Sequence, residues 1–404
     1  MLTLHYKSKS SIAIFLIAIG IVFLNFTPVR PLNYPLTIAP LILLFITPLA
    51  LSIKKGLSRY LLPWITVIIF VLLKSTFDLF NITGSEIQFF KTFLLWAFYW
   101  TFFLAFLVFP IRNKINLSRL SLLYSSLFIL IASICAAQLI YYKITGNINI
   151  FNLWGEYNYA SQGYVTKVIE FGAMKTTGFY FEPAFCALVM YALLTARQIS
   201  AKISYIYYPL VLIAFYITGS FSGVLCALFA LLTTTLFPDH TSNKNKGIKL
   251  IIGTFVFMSA FYFLADLIAT RSLQVFDAST STYYRLIAPL EIIKSVLTEH
   301  PFGMLLGVME SDIVKHSLSN GASIGKTIDN GWYLLFYYFG WIGVFIFASY
   351  LIIGFKLALK LRNGSIEAYQ FLLLSPFFTG AVFSPEFLLL QAIVIFTFKQ
   401  RQAQ

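Results

Sequence analysis

Six charged residues stand where polar stretches meet long apolar runs: Lys175, Glu182, Arg271, Arg285, Lys326 and Asp329. Lys175 and Glu182 share the stretch KTTGFYFEPAF, residues 175–185. Arg285 lies in STSTYYRLIAPL beside Tyr283 and Tyr284, and Asp329 precedes Asn330 in GKTIDNGWYLL. Arginine offers a planar fork of donors that grips phosphate oxygens at two points, and lysine offers a compact charge. A carboxylate beside such cations can take a proton from a hydroxyl. Tyr180, Phe181, Tyr283, Tyr284 and Trp332 supply flat faces that stack on sugars or mark a membrane interface. Phosphate, sugar and an apolar setting together describe a glycan carried on a polyprenyl pyrophosphate. The same charges have a plainer reading as capping and snorkelling residues at helix ends. Glu182 stands before Pro183, a residue suited to the first turn of a helix, and a negative charge there meets the positive end of the helix dipole.

Other chemistry is less well supported. GASIGKT, residues 321–327, has three residues between its glycines where a phosphate-binding P-loop needs four, and no strand precedes it. His5, His240, His300 and His316 show no metal-ligand spacing. Each reads as a solvated loop histidine, with His316 also a candidate for proton transfer. Cys135, Cys186 and Cys226 fall inside apolar runs and read as small buried hydrophobes, without metal or disulfide spacing. No metal or other cofactor is expected.

The elements that must position these residues are membrane-spanning. Of 404 residues, 59% are hydrophobic and 11% charged, against about 25% charged in a soluble domain. The expected fold is all-α, a single transmembrane domain over residues 1–404 with about twelve spanning helices. The apolar segments run near 11–29, 36–53, 60–80, 91–109, 120–141, 183–197, 204–219, 222–237, 250–269, 331–355, 368–382 and 386–398. The first lacks a small-residue cleavage site and reads as a retained helix.

Charge sets the orientation. Eighteen of the 29 basic residues, from Lys7 and Lys9 to Lys399 and Arg401, fall in every second gap. The positive-inside rule places those gaps and both termini in the cytoplasm. Only Asp239 and Glu367 of the 15 acidic residues share that side. The net charge of +14 is therefore topological bias and not a nucleic-acid groove. The opposite side holds two long loops, 142–182 and 270–330, which is where function is expected. Within the second, apolar residues at 286, 290, 293 and 297, with 292 and 296, predict an amphipathic helix over 286–299. It would lie on the membrane or pack on the protein itself.

Five stretches carry a family resemblance: KTTGFYFEPAF, TGSFSGV (218–224), STYYRLIAPL (281–290), GKTIDNGWYLL (325–335) and FTGAVFSPEF (378–387). In order and over most of the chain, they resemble the Wzy class of bacterial polysaccharide polymerases of O-antigen and capsule repeat units. Within that class the likeness is nearest to the colanic acid polymerases. The resemblance implies an inner-membrane enzyme with a glycosyltransferase-C-like or O-antigen-ligase-like fold and an active site facing the periplasm. It implies transfer of a growing glycan from undecaprenyl pyrophosphate to the next lipid-linked unit, with a flippase and a chain-length regulator as partners. Arg285 in its YYRL setting matches by pattern the arginine with which related O-antigen ligases engage pyrophosphate. Those ligases often carry histidine before asparagine at the next helix, whereas this chain has Asp329-Asn330. That departure leaves Glu182, Asp329 or His316 to handle the acceptor hydroxyl, with Lys175 and Arg285 on pyrophosphate and Arg271 and Lys326 in support. The rival readings are a transporter of lipid-linked oligosaccharide and a ligase-like glycan transferase. A transporter usually shows repeat symmetry and midplane charges. Here Lys74, Asp78, Asp266 and Glu386 all lie near outer helix ends.

Overall fold

The computed structural model describes residues 2–28, 37–52, 86–112, 114–148, 150, 153–157, 169–170, 173–180, 182–201, 203–204, 207–236, 286–306, 308–309, 328–361, 364–378 and 384–404, with isolated positions in 73–78, 251–283 and at 313. Its helices are α1 (Leu2–Val22), α2 (Ala39–Ala50), α3 (Glu86–Val108), α4 (Leu117–Thr145), α5 (Pro183–Ser200), α6 (Tyr208–Ile217) and α7 (Phe221–Leu236). There follow α8 (Ala288–Glu299), α9 (Gly331–Ser349), α10 (Phe355–Leu361), α11 (Ser365–Leu374) and α12 (Pro385–Gln402). A π-turn, Tyr350–Gly354, joins α9 to α10, so that Gly331–Leu361 runs on for 31 residues. Among the described residues the sole sheet is a hairpin of two-residue strands, β1 (Ile169–Glu170) and β2 (Ala173–Met174), with Ile169 opposite Met174.

Four stretches are long and apolar enough to cross a membrane: Phe89–Val108, Leu117–Thr145, Pro183–Ser200 and Gly331–Leu361. Twenty helical residues cover about 30 Å, the thickness of a bilayer core. Ser11–Val22, Ala39–Ala50, Tyr208–Ile217 and Phe221–Thr233 are apolar but shorter. The helices do not match the twelve expected segments one for one. Segments 60–80 and 250–269 lie mostly outside the described residues, and α8 and α10 are not separate spans.

Helix ends follow local chemistry. The Asn116 side chain caps α4 by accepting from Ser118 N at 2.8 Å. Ser384 caps α12 by accepting from Phe387 N at 3.2 Å, with Pro385 in the first turn.

The bundle is built around α5. In that helix 83% of the apolar window is buried, against 33% in α4 and 28% in α3. Helices α4, α7, α11 and α12 pack on it. Its alanines allow the close approach that membrane helices use in place of a hydrophobic drive. At Gly223 of α7 a side chain would run into the Ala187 methyl of α5. Polar pairs add interhelical hydrogen bonds: Tyr99 Oη to Gln391 Oε1 at 2.8 Å, Tyr124 to Thr397 at 2.7 Å and Thr233 Oγ1 to Gln370 Oε1 at 2.7 Å.

Helix α8 buries Ala288, Pro289, Ile292, Ile293 and Val296 and packs on α9. The turn after it docks into a break in α9. Gly340 has φ 54°, the α9 chain kinks there, and Trp341 N donates to Pro301 O at 2.9 Å. Met304 N donates to Tyr337 O at 2.8 Å. A side chain at Gly303 or Gly340 would overlap the backbone of the other segment. The same turn is also held by an ion pair between Lys74 and the buried Asp78, at 3.3 Å. Asp78 Oδ2 accepts from Leu306 N at 3.1 Å, and Lys74 Nζ donates to Met304 O at 3.1 Å.

Candidate functional site

The stretch 175–182 forms a strap that leads into α5, and its residues from Lys175 to Tyr180 are tied to several parts of the protein. Lys175 lies against the turn before α7; a Cβ at Gly219 would stand 2.8 Å from Lys175 Cγ. Thr176 Oγ1 donates to Ile217 O at 2.9 Å, at the end of α6. Thr177 N and Gly178 N donate to Gln138 Oε1 of α4 at 3.1 and 2.9 Å. Trp154 Nε1, from the loop after α4, donates to Phe179 O at 2.8 Å. Tyr180 Oη donates to Ile21 O of α1 at 3.1 Å. Stretches KTTGFYFEPAF and TGSFSGV are thus one structural unit.

A tight turn shapes the strap's centre, with Tyr180 N donating to Thr177 O at 2.9 Å. Gly178 occupies its second position at φ 58°, a conformation that favours glycine. The space beside it is tight: a Cβ there would stand 3.2 Å from Cys186 Sγ and in ordinary contact, 3.5 Å, with Cys135 Sγ. Those two thiols, on α5 and α4, lie 3.6 Å apart.

Glu182 takes the N-cap position of α5, with φ −145° and ψ 155°, and Pro183 follows in the first turn. Its carbonyl accepts from Cys186 N at 3.0 Å. The carboxylate makes no capping hydrogen bond. Glutamate is longer than the residues that cap well, Ser, Thr, Asp and Asn. So the position expected for a cap is occupied, while the side-chain bond that would explain it as a cap is not made. Tyr180 is fully buried, and burial pushes its phenol well above the ordinary tyrosine range. Its ring belongs to the packing beneath the strap.

At α9 the roles divide between neighbours. Asn330 is buried and caps the helix; its Oδ1 accepts from Trp332 N at 3.0 Å and Tyr333 N at 3.4 Å. Asp329, one residue earlier, is exposed. Trp332 Nε1 donates to Leu373 O of α11 at 2.9 Å, and Tyr333 Oη donates to Leu286 O at 3.1 Å. Tyr283 is half-buried, and its carbonyl accepts from Ile287 N at 2.9 Å. Arg271, Tyr284, Arg285, His316 and Lys326 lie outside the described residues. Among the described residues no cluster of three histidine, cysteine or acidic side chains could hold a metal ion.

Two polar groups at the strap escaped the reading of the sequence, and a third, Glu386, reads there only as a charge near a helix end. Gln138 is the sole amide in the apolar run 120–141, which is itself a signal for a polar residue with a task inside a membrane helix. Thr176 looks like any loop threonine. The buried Glu386 accepts a hydrogen bond from Thr37 Oγ1, a pairing across 349 residues that no local pattern reveals.

With this geometry in view, the sequence pattern of the WcaD colanic acid polymerase family matches residues 12–400. A protein of Escherichia coli (strain K12), provisionally assigned as a colanic acid polymerase, is 32% identical to this chain over 283 residues. The similarity covers 68% of this chain and 69% of that relative.

Proposed function

Because this chain belongs to the WcaD colanic acid polymerase family, we propose that it polymerises an exopolysaccharide from repeat units carried on undecaprenyl pyrophosphate. The protein would sit in the bacterial inner membrane with about twelve spans, both termini in the cytoplasm, and loops 142–182 and 270–330 in the periplasm. The growing glycan leaves its lipid carrier and joins the newest lipid-linked unit.

The reaction follows from the chemistry of the groups. The acceptor hydroxyl oxygen bonds to the anomeric carbon of the donor, and the bond from that carbon to the pyrophosphate oxygen breaks. Undecaprenyl pyrophosphate departs with the electron pair, and the hydroxyl proton passes to a protein base. Pyrophosphate is already a good leaving group, so the protein's tasks are to neutralise the charge on it and to hold the acceptor. We assign Arg285 and Lys175 to the pyrophosphate, with Arg271 and Lys326 in support. Glu182 or Asp329 takes the proton, with His316 as the imidazole candidate. Tyr283 and Tyr284 complete the proposed glycan-side set, while the buried Tyr180 and the α9 cap Asn330, both candidates from the sequence, support it from beneath.

The observation that carries this reading is the strap 175–182. Its only charged residues are Lys175 and Glu182. Every backbone group bonded along it fixes where those two charges stand, and the Glu182 carboxylate is not consumed by capping α5. A transporter of the same lipid-linked unit is the rival. The test is purified full-length protein given lipid-linked repeat units, with products sized by electrophoresis. A polymer ladder is expected, together with its loss in Arg285→Ala. Unextended units from the wild type, or a normal ladder from Arg285→Ala at normal protein level, would overturn the reading or its central assignment respectively.

A further inference from the structure

We propose that Gln138 of α4 is the positioning residue of the site: it locks the two ends of the first long loop together and so sets where Lys175 and Glu182 stand. The inference rests on the reading of the strap given above and deepens it.

Gln138 is 1% exposed, in the last two turns of α4, on the buried face that also carries Leu127, Ile131 and Cys135. A side-chain amide has two N–H donors and one carbonyl able to accept twice. All four capacities are used. Oε1 accepts from Thr177 N at 3.1 Å and Gly178 N at 2.9 Å. Nε2 donates to Gly178 O at 3.0 Å and Ile150 O at 3.2 Å. The surrounding groups fix the orientation of the amide, because two N–H groups face one end and two carbonyls face the other.

The partners identify what is being held. Ile150 follows α4 by a few residues, at the start of the loop; Thr177 and Gly178 lie near its end, just before Glu182. One side chain therefore closes the loop's base. In a low-dielectric setting a fully satisfied amide is stable in this one loop geometry, and any other leaves buried polar groups unpaired. Leucine would serve helix packing at this place equally well. The amide is needed only if the loop's backbone must be held in register.

The register matters for chemistry in a way that it does not for the bundle. Misplacing a reacting group by about 1 Å can lower a rate on the order of 100-fold. Among the described residues between β2 and α5, the strap has no helix or strand. Its placement depends on such side-chain contacts, and Gln138 supplies three of them, from Thr177 N and Gly178 N and to Gly178 O.

The experiment uses purified full-length protein and undecaprenyl-pyrophosphate-linked repeat units extracted from cells that lack the polymerase. Gln138→Glu keeps the acceptor for Thr177 N and Gly178 N and sets a second carboxylate oxygen against the two carbonyls. Gln138→Leu removes all four bonds. We expect Gln138→Glu to lower kcat at least tenfold while KM for the lipid-linked unit moves less than threefold. We expect Gln138→Asn, one methylene shorter, to recover part of the loss. In a Lys175→Ala background the further loss from Gln138→Glu should fall below threefold, because the group being positioned is already gone. Equal loss in both backgrounds would show a general structural role and overturn the proposal. So would wild-type kcat in both Gln138→Glu and Gln138→Leu. If Gln138→Leu does not accumulate, Gln138→Glu and Gln138→Asn decide. Full activity in both Lys175→Ala and Glu182→Gln would overturn the reading of the strap itself, and the proposal with it. Impaired Lys175→Ala and Glu182→Gln beside a silent Gln138→Glu would overturn the proposal alone.

Discussion

At the scale of single residues, the strap depends on backbone conformations that few side chains tolerate. Gly178 has φ 58° and two thiols within 3.5 Å of where a Cβ would go. Alanine there brings a left-handed strain of about 1–2 kcal/mol, and the strap must also move off Cys186. Gly178→Ala is expected to lower the melting temperature slightly and polymer formation strongly, read by a thermal scan and a product ladder on the same preparation. A normal ladder would show that the strap's position is not critical. The sequence announced part of this. Glu182-Pro183 marked a helix start, because proline's missing N–H is harmless in the first turn. It could not announce that the glutamate's side chain would stay out of the cap, since that depends on where the strap arrives. Nor could Gln138 be paired with residues 39 and 40 positions away. Such long-range amide contacts leave no periodic trace.

At the scale of elements, two neighbouring residues at the start of α9 stand in different surroundings. Asn330 caps α9 and Asp329 stands exposed beside it. Asn330→Ala should cost about 1 kcal/mol, the usual worth of such a cap, and a melting curve would register it. Asp329→Asn, at an exposed position, should shift that curve less than Asn330→Ala does. A fall in kcat for Asp329→Asn would favour it over Glu182 as the base, and an unchanged kcat would remove it from the candidates. The helix expected over 286–299 illustrates the limit of periodicity. Its face is buried against α9, while Leu290 remains 45% exposed. Helices on a membrane surface and helices on a protein both need one apolar face, so the pattern alone cannot choose between them. The break in α9 was likewise hidden, because Gly340 reads as one more glycine in an apolar run. Its role depends on Pro301, whose carbonyl accepts from Trp341 N at 2.9 Å. Gly340→Ala forces a side chain into the backbone of the 300–304 turn. It is expected to destabilise the protein by more than about 2 kcal/mol through overpacking and strain. Normal yield and normal melting would show that the turn is not docked in the break.

For the whole molecule, composition points to the class and charge bias predicts an orientation, because a bilayer constrains both in any chain that crosses it. The packing order was not available from either. That α5 would be the central helix follows from its alanines meeting Gly223 and from four neighbours, which are facts of assembly. The orientation can be tested on α4, whose 29 residues of about 1.5 Å each exceed a bilayer core of about 30 Å. Lys114 precedes it and Asn147 follows it, and both are exposed. With the termini in the cytoplasm, Asn147→Cys should react with a membrane-impermeant maleimide added outside spheroplasts. Lys114→Cys should react only after the membrane is opened. The native Cys135, Cys186 and Cys226 are buried and should give little background. The opposite labelling pattern would place the strap 175–182 on the cytoplasmic side. A polymerase acting on glycans displayed outside could not use it there, and the assignment of Lys175 and Glu182 would fall with the topology.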